Sequence, residues 1–357
     1  MRMNSLINFL NNQDEADAAI ILGNDNRFYF CNVKTSDGIL FVNKKEAFLI
    51  VDSRYISYCK EAAKDCNVIL IQDRKEQIRN LASECKAKRV GMDISNVNIE
   101  DFKYFSDCLK GTKLLDSDTL ENTIKNQRAV KDESELENIK ASQNLLDLGF
   151  TYILDHIKPS ISELELAIKL EFYLRQQGAQ KVAFDFIVTS GAKTALPHGM
   201  PSDKPLQAGD LVMIDFGVIY NNYCSDMTRT VAVKKASDKQ KEVYKLVLNT
   251  QKLAMDAIKP GKSCKEIDSL ARNFLEQSDF KGCFGHGLGH SLGLEVHETP
   301  NLSSKSCDII KKGNVFTVEP GIYLEGEFGV RIEDTVFVTD SGVQNITKSF
   351  KEELLIV

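Results

Sequence analysis

Four carboxylates in two nearly matching segments are the side chains of this sequence best placed to do chemistry. Gly209-Asp-Leu-Val-Met-Ile-Asp215-Phe-Gly217 and Gly313-Asn-Val-Phe-Thr-Val-Glu319-Pro-Gly321 each set an acid between an apolar run and a glycine. Each is followed by a second acid, Asp226 and then Glu333, that leads into a β-branched run. Reading Leu211 to Val233 as a hairpin with its turn near Tyr220-Asn-Asn-Tyr223 puts Asp215 and Asp226 nearly opposite one another, roughly 5 Å apart on one face. Two acids that close in an apolar setting repel unless a cation lies between them. In the second copy Pro320 ends strand pairing beside Glu319, and Arg331 and Glu333 share a face by the two-residue strand period. Two copies packed about an approximate twofold axis would bring four acids together, and two divalent cations would balance them.

Histidine is scarce, with five in the chain, yet His286, His290 and His297 lie in one glycine-rich stretch, Gly285 to His297. Those glycines argue against the helical His-Glu-x-x-His zinc motif. His198, in Leu196-Pro-His-Gly-Met-Pro201, matches His297-Glu-Thr-Pro300, since each histidine stands three residues before a proline. One such histidine per copy, beside a metal pair, suits carbonyl polarisation and proton transfer. His290 has no counterpart in the first copy. His156 falls on a helix face and is read as structural.

The elements that must carry these groups also repeat. Leu136, Ile139, Leu146, Phe150, Ile153, Leu154 and Ile157 recur at helical spacing until Pro159, and Ser162 with Glu165 reads as the capping box of a second helix ending at Gly178. Lys239 to Ile258 then stops at Pro260, with Ser263 and Glu266 capping the next helix. Residues 123–357 are therefore expected to form one α+β domain made of two copies of helix, helix, strands. Residues 1–122 read as a separate α/β domain without a catalytic cluster. Its strand-length apolar runs are 18–22, 38–42, 47–51 and 68–71, with helix-compatible segments near 54–65, 74–88 and 99–110.

A chain of 357 residues is long for one core, which agrees with two domains. A net charge of -6 argues against a nucleic-acid partner. Nine cysteines, none in a Cys-x-x-Cys pair, suggest reduced thiols in the cytoplasm. Neither a signal-like N-terminus nor an apolar run of the roughly 20 residues that a membrane span needs is present in the sequence.

The ordered set Asp215, Asp226, His290, Glu319 and Glu333, with His198 and His297 beside it, resembles the pita-bread metallopeptidases: methionine aminopeptidases, Xaa-Pro aminopeptidases and prolidases. The resemblance covers the whole second domain and implies a pseudo-twofold pita-bread fold holding two divalent metal ions, manganese first, cobalt or zinc otherwise. It implies that Asp215 chelates one metal, Asp226 and Glu333 bridge the pair, and His290 and Glu319 complete the other. Water activated there near neutral pH would attack the scissile carbonyl, with Glu319 also carrying a proton and His198 and His297 stabilising the oxyanion and positioning substrate. His286 and Arg331 match positions lining the proline side of the cleft. An N-terminal domain of this size, with Phe48-Leu-Ile-Val-Asp52-Ser-Arg54-Tyr55, resembles that of the proline-specific branch and the creatinases, and creatinases do not keep the metal ligands. Methionine aminopeptidases typically lack such a domain, and a non-catalytic scaffold would be expected to lose ligands. The expected activity is thus release of the N-terminal residue from peptides with proline in second position, an Xaa-Pro aminopeptidase. An Xaa-Pro dipeptidase is the alternative, and the absence of a long insertion capping the cleft favours the former. A homodimer is implied by the resemblance alone.

Overall fold

The computed structural model describes residues 2–357 and divides the chain into two units, one ending at Arg128 and one running from Ala129 to Val357. The boundary expected at residue 122 falls inside a helix, Thr119–Ala129. In the first unit the strands are β1 (Ala18–Ile21), β2 (Ile39–Asn43), β3 (Ala47–Val51), β4 (Asn67–Leu70), β5 (Arg89–Met92) and β6 (Lys113–Leu114). They form one mixed sheet in the order β4-β3-β2-β1-β5-β6. Its central strands are buried on both faces, which explains their continuous apolar runs. Helices α1 (Arg2–Asn12), α2 (Asn24–Cys31), α3 (Ile56–Ala62), α4 (Arg74–Glu84), α5 (Ile99–Cys108) and α6 (Thr119–Ala129) complete the unit. Ile20, Phe41 and Ile50 of the sheet share a core with Ile78 and Phe105 of α4 and α5.

The second unit contains the expected two copies. The first is α7 (Glu133–Leu154), α8 (Glu163–Gln176), β7 (Lys181–Val182), β8 (Ile187–Ser190), β9 (Leu211–Phe216), β10 (Val218–Tyr220), β11 (Tyr223–Cys224) and β12 (Met227–Ala232). The second is α9 (Asp238–Ala257), α10 (Cys264–Glu276), β13 (Gly289–Ser291), β14 (Glu298–Leu302), β15 (Val315–Val318), β16 (Gly321–Leu324), β17 (Phe328–Arg331), β18 (Asp334–Val338) and β19 (Val343–Asn345). Both expected capping boxes form, Ser162 with Glu165 and Ser263 with Glu266. Gly178 stops α8 at φ 105°, a conformation that favours glycine. In contrast, α7 ends at Leu154, short of the periodic run to Ile157. Each copy has its own core. Leu146, Phe150, Leu170 and Leu174 pack on Val212, Ile214 and Val231, whereas Val247, Ile267 and Ala271 pack on Phe316, Val318 and Val336.

Strand register shows how the copies correspond. In the first hairpin Asp215 stands opposite Thr228, and the same register, continued into β10 and β11, sets Asp226 opposite Gly217. Asp215 and Asp226 are thus diagonal neighbours on one face rather than directly opposed. In the second hairpin Gly321 faces Arg331 and Val318 faces Asp334, which puts Glu319 opposite Glu333. With Asp215 matched to Glu319, the counterpart of Asp226 is Arg331 and the counterpart of Glu333 is Thr228. The bonds between copies obey that match. Thr230 Oγ1 donates to the Arg331 carbonyl at 2.9 Å, and Thr335 Oγ1 donates to the Asp226 carbonyl at 3.0 Å. Thr228 and Glu333 meet at the pseudo-axis, where Thr228 Oγ1 donates to Glu333 Oε2 at 2.7 Å and the Glu333 N–H donates to the Thr228 carbonyl at 3.1 Å. The expectation that all four acids repeat by symmetry is therefore corrected. Glu333 lies directly opposite Glu319, whereas Asp226 lies two residues short of Thr228, the residue opposite Asp215, so matching acid to acid along the sequence crosses the register.

Gly289 lets β13 lie against β15, for a Cβ there would overlap the Thr317 carbonyl oxygen. Gly289→Ala is expected to push β13 outward and to lower stability by about 1–3 kcal/mol, read from a urea unfolding curve. Among the described residues no helix is long and apolar enough to cross a membrane.

Candidate metal centre

The side chains meet where the hairpins of the two copies cross. One oxygen or nitrogen each from Asp226, His290 and Glu333 lies within 4.8 Å of the others. His290 Nδ1 faces the Ser291 carbonyl at 3.1 Å and so must carry the ring proton, which leaves Nε2 bare. That nitrogen points at Glu319 Oε1, 3.4 Å away, and Asp226 Oδ2, 3.7 Å away. Burial, and then the neighbouring His297, push the His290 pKa down to about 4, so at neutral pH these contacts are not ion pairs. Lone pairs face lone pairs, an arrangement that a cation satisfies.

The acids make the same case. Burial foremost, then the charges of Glu333, Asp215 and Glu319, raise the Asp226 pKa well above the usual carboxylate range. Glu333 is raised likewise, by burial and then by Glu319 and Asp215, and burial lifts Glu319 to about 7. One oxygen each of Asp215 and Asp226, Oδ1 in both, is buried with no hydrogen-bond partner. Orphaned buried carboxylate oxygens are uncommon, and a divalent metal would be the partner they lack. Four carboxylates and one bare imidazole nitrogen therefore fit divalent metal ions, with Asp215, Asp226, His290, Glu319 and Glu333 as the residues that would hold them.

Arg331 occupies the register position equivalent to Asp226 and supplies the opposite charge. Its Nη2 donates to Asp215 Oδ2 at 2.5 Å, its Nε to Thr228 Oγ1 at 3.1 Å and its Nη1 to Tyr323 Oη at 2.8 Å and the Pro197 carbonyl at 3.2 Å. Burial opposes its charge, but Tyr323, Asp215 and Glu319 hold its pKa above the usual value. The guanidinium thus takes one oxygen of Asp215 and leaves the other free. Behind it, His286 Nδ1 faces the Gly287 carbonyl at 2.8 Å, so its Nε2 accepts from the Tyr323 hydroxyl at 2.9 Å. Burial first, with the positive Arg331 among the further causes, lowers His286 to about 4 and keeps it neutral.

Residues 137–340 match the model of metallopeptidase family M24. The chain is an M24 metallopeptidase. This peptidase also matches, over residues 2–130, the creatinase/prolidase N-terminal domain. It is 36% identical over 355 residues to the Xaa-Pro dipeptidase of Pyrococcus furiosus, covering 99% of each chain. Among solved structures it resembles the Xaa-Pro dipeptidase from Bacillus anthracis, with 34% identity, a TM-score of 0.94 and coverage of 100% of this chain and 98% of that one. It also resembles the X-Pro aminopeptidase from Thermotoga maritima, with 35% identity, a TM-score of 0.92 and full coverage of both chains. The expected fold, an α/β first domain followed by a pita-bread domain with internal duplication, is the fold of this M24 peptidase.

Within it, the expected histidines are placed unevenly. The His297 ring packs edge-on against His290, centroids 4.4 Å apart, and burial lowers its pKa. His297 precedes Glu298, whose Oε2 accepts from the buried Lys131 ammonium at 2.9 Å and whose Oε1 accepts from the Leu294 N–H at 2.9 Å. The His297 turn is thereby fixed. His198 is exposed, on a loop after β8, next to the Pro197 carbonyl that Arg331 holds. The His156 ring packs at a tilt against Tyr152, centroids 4.3 Å apart, in keeping with a structural role. Sequence reasoning passed over Tyr323, Thr228 and Thr317. Thr317 Oγ1 accepts from the His290 N–H at 3.0 Å and donates to Glu319 Oε1 at 3.1 Å. The strand period offered a weak signal, since Thr317 and Glu319 share a face, as do Gly321 and Tyr323.

Proposed function

We propose that this M24 peptidase is an Xaa-Pro dipeptidase that hydrolyses the bond between an N-terminal residue and a C-terminal proline. The observation that carries this reading is end-to-end likeness, 36% identity over 99% of both chains, to an Xaa-Pro dipeptidase. The Xaa-Pro aminopeptidase reading, which the lack of a capping insertion favours, stands second. It is supported by the similarly close likeness to an X-Pro aminopeptidase. Both activities need the same machinery and differ in how much chain follows the proline.

Asp215, Asp226, His290, Glu319 and Glu333 are proposed to hold two divalent ions, with manganese first and cobalt or zinc as alternatives, because oxygen-rich donor sets accept several such metals. When bound, these ions supply Lewis acidity and water that ionises near neutral pH. His297 and His198 are assigned to donate to the scissile carbonyl oxygen as charge develops on it, and to position the substrate. Glu319, with Oε1 facing His290 and steadied by Thr317, is assigned the proton that passes to the leaving proline nitrogen. His286 and Arg331 line the proline side. Proline suits such a site because its nitrogen has no hydrogen to donate and its ring fixes the backbone, so recognition rests on shape, on the scissile carbonyl and on the proline carboxylate. Nine cysteines with no Cys-x-x-Cys pair among them support a reducing, cytoplasmic location, and a homodimer belongs to the same proposal.

The test compares an Xaa-Pro dipeptide with the matching Xaa-Pro-Yaa tripeptide on remetallated protein. The dipeptide is expected to be cleaved with at least about tenfold higher kcat/KM, a difference of roughly 1.4 kcal/mol. Preference for the tripeptide would assign the aminopeptidase instead.

A further inference from the structure

Glu163 opens α8, a position where an acid normally faces water and the helix N-terminus. Here its side chain is fully buried, at 0% exposure. Its carboxylate accepts five hydrogen bonds, all from the segment between Ser190 and Ser202. Oε1 takes the Ser190 N–H and hydroxyl, both at 2.8 Å. Oε2 takes the Lys193 ammonium at 2.7 Å, the Ser202 hydroxyl at 2.8 Å and the Ser202 N–H at 3.1 Å. A carboxylate offers about four lone-pair positions, so this one is saturated. Burial opposes its charge, yet Lys193 and the two serines hold its carboxyl below the usual range. The backbone adds to the clamp, with the Leu164 N–H donating to the Ser202 carbonyl at 3.0 Å and the Glu163 N–H to the Lys204 carbonyl at 3.2 Å.

The segment so closed carries His198. It is pinned midway, where Thr194 Oγ1 accepts from the Gly329 N–H at 2.7 Å, and near its tip, where Arg331 holds the Pro197 carbonyl. His198 itself is exposed and belongs to no helix or strand. Apart from the short 3-10 helix Gly191–Ala195 the segment has no regular secondary structure, so the placement of His198 depends on these anchors, and Glu163 holds both ends at once. A reacting group misplaced by about 1 Å can lose a factor of about 10² in rate.

We infer that Glu163 is a positioning residue that sets His198 over the metal centre by closing the base of the 190–202 loop. This rests on the reading of His198 as a group that meets substrate. It predicts coupling that mere structural support would not give. In remetallated protein assayed with an Xaa-Pro dipeptide, Glu163→Gln is expected to lower kcat/KM by about a hundredfold, with metal content at the wild-type level. In a His198→Ala background the same change is expected to cost less than about twofold further, because the residue acts through the one already removed. Losses that multiply would overturn the inference.

Hydrogen exchange read by mass spectrometry supplies a measurement independent of catalysis. Peptides spanning 190–202 are expected to exchange faster in Glu163→Gln while those of α8 and β9 keep their protection. A rise spread over the whole unit, or none, would contradict the assignment. Should Glu163→Gln fail to fold, Ser202→Ala enters the same cycle and exchange measurement. Wild-type protein that cleaves no Xaa-Pro peptide would fault the functional reading, and the exchange pattern would then decide the loop clamp by itself.

Discussion

Asp226→Asn is expected to lose bound metal and hydrolysis together, with kcat/KM falling more than about a thousandfold, equivalent to the several kcal/mol that a catalytic metal supplies. Asp226 contributes to a group of three ligand atoms that already converge, and its Oδ1 is buried without a partner. Exchanging that oxygen charge for an amide removes an anionic donor and aims N–H hydrogens into the cradle. Stability should move the opposite way. In the metal-free protein Asp226 is crowded by Glu333, Asp215 and Glu319, so a neutral amide relieves repulsion and melting is expected at a higher temperature than for the metal-free wild type. Added metal should then stabilise the wild type and leave the variant unmoved. Metal analysis and thermal melts with and without manganese read both arms. A fully active, metal-replete variant would remove Asp226 from the centre.

The second large effect is expected from His297→Ala, which should lower turnover by about 10²–10³-fold, the usual loss for one donor to a developing oxyanion, with metal content near wild type. The ring touches His290 edge-on, and burial keeps it neutral, so it can donate one N–H without bringing charge to the site. Its turn is held by the Lys131–Glu298 pair, which does not depend on the imidazole. Truncation should therefore leave the backbone in place. Loss of metal together with turnover would make His297 a ligand rather than a donor.

Much of this was legible in the sequence because the second unit repeats. Proline stops, capping boxes and Gly-apolar-acid-Gly segments are local signals, and with the histidine motifs and the family resemblance they singled out nine candidate residues: Asp215, Asp226, His290, Glu319, Glu333, His198, His297, His286 and Arg331. Register was not legible. The second acid of each hairpin looked equivalent, but Asp226 is diagonal to Asp215 while Glu333 is directly opposite Glu319, which matches Asp226 to Arg331 and Glu333 to Thr228. Nor could spacing reveal that Arg331 reaches Asp215 across the pseudo-axis, since that pair is joined only by the packing of the two copies.

In the first unit, α2 escaped notice because Asn26 and Arg27 are buried there with hydrogen-bond partners, so polarity no longer marks the solvent face. Strand β5 was hidden in a similar way, as four residues that include an arginine and a glycine. Glu163 illustrates the limit for the site itself. In sequence it is one more acid in the first turn of a helix, and only the fold places five donors around it.

The most direct test of the account is to strip the purified chain with a chelator, dialyse the chelator away, and follow hydrolysis of an Xaa-Pro dipeptide while metal content is raised stepwise. The metal-free protein should be inactive, and activity should return in proportion to the metal bound. A metal-free chain that cleaves the dipeptide at the remetallated rate would contradict it.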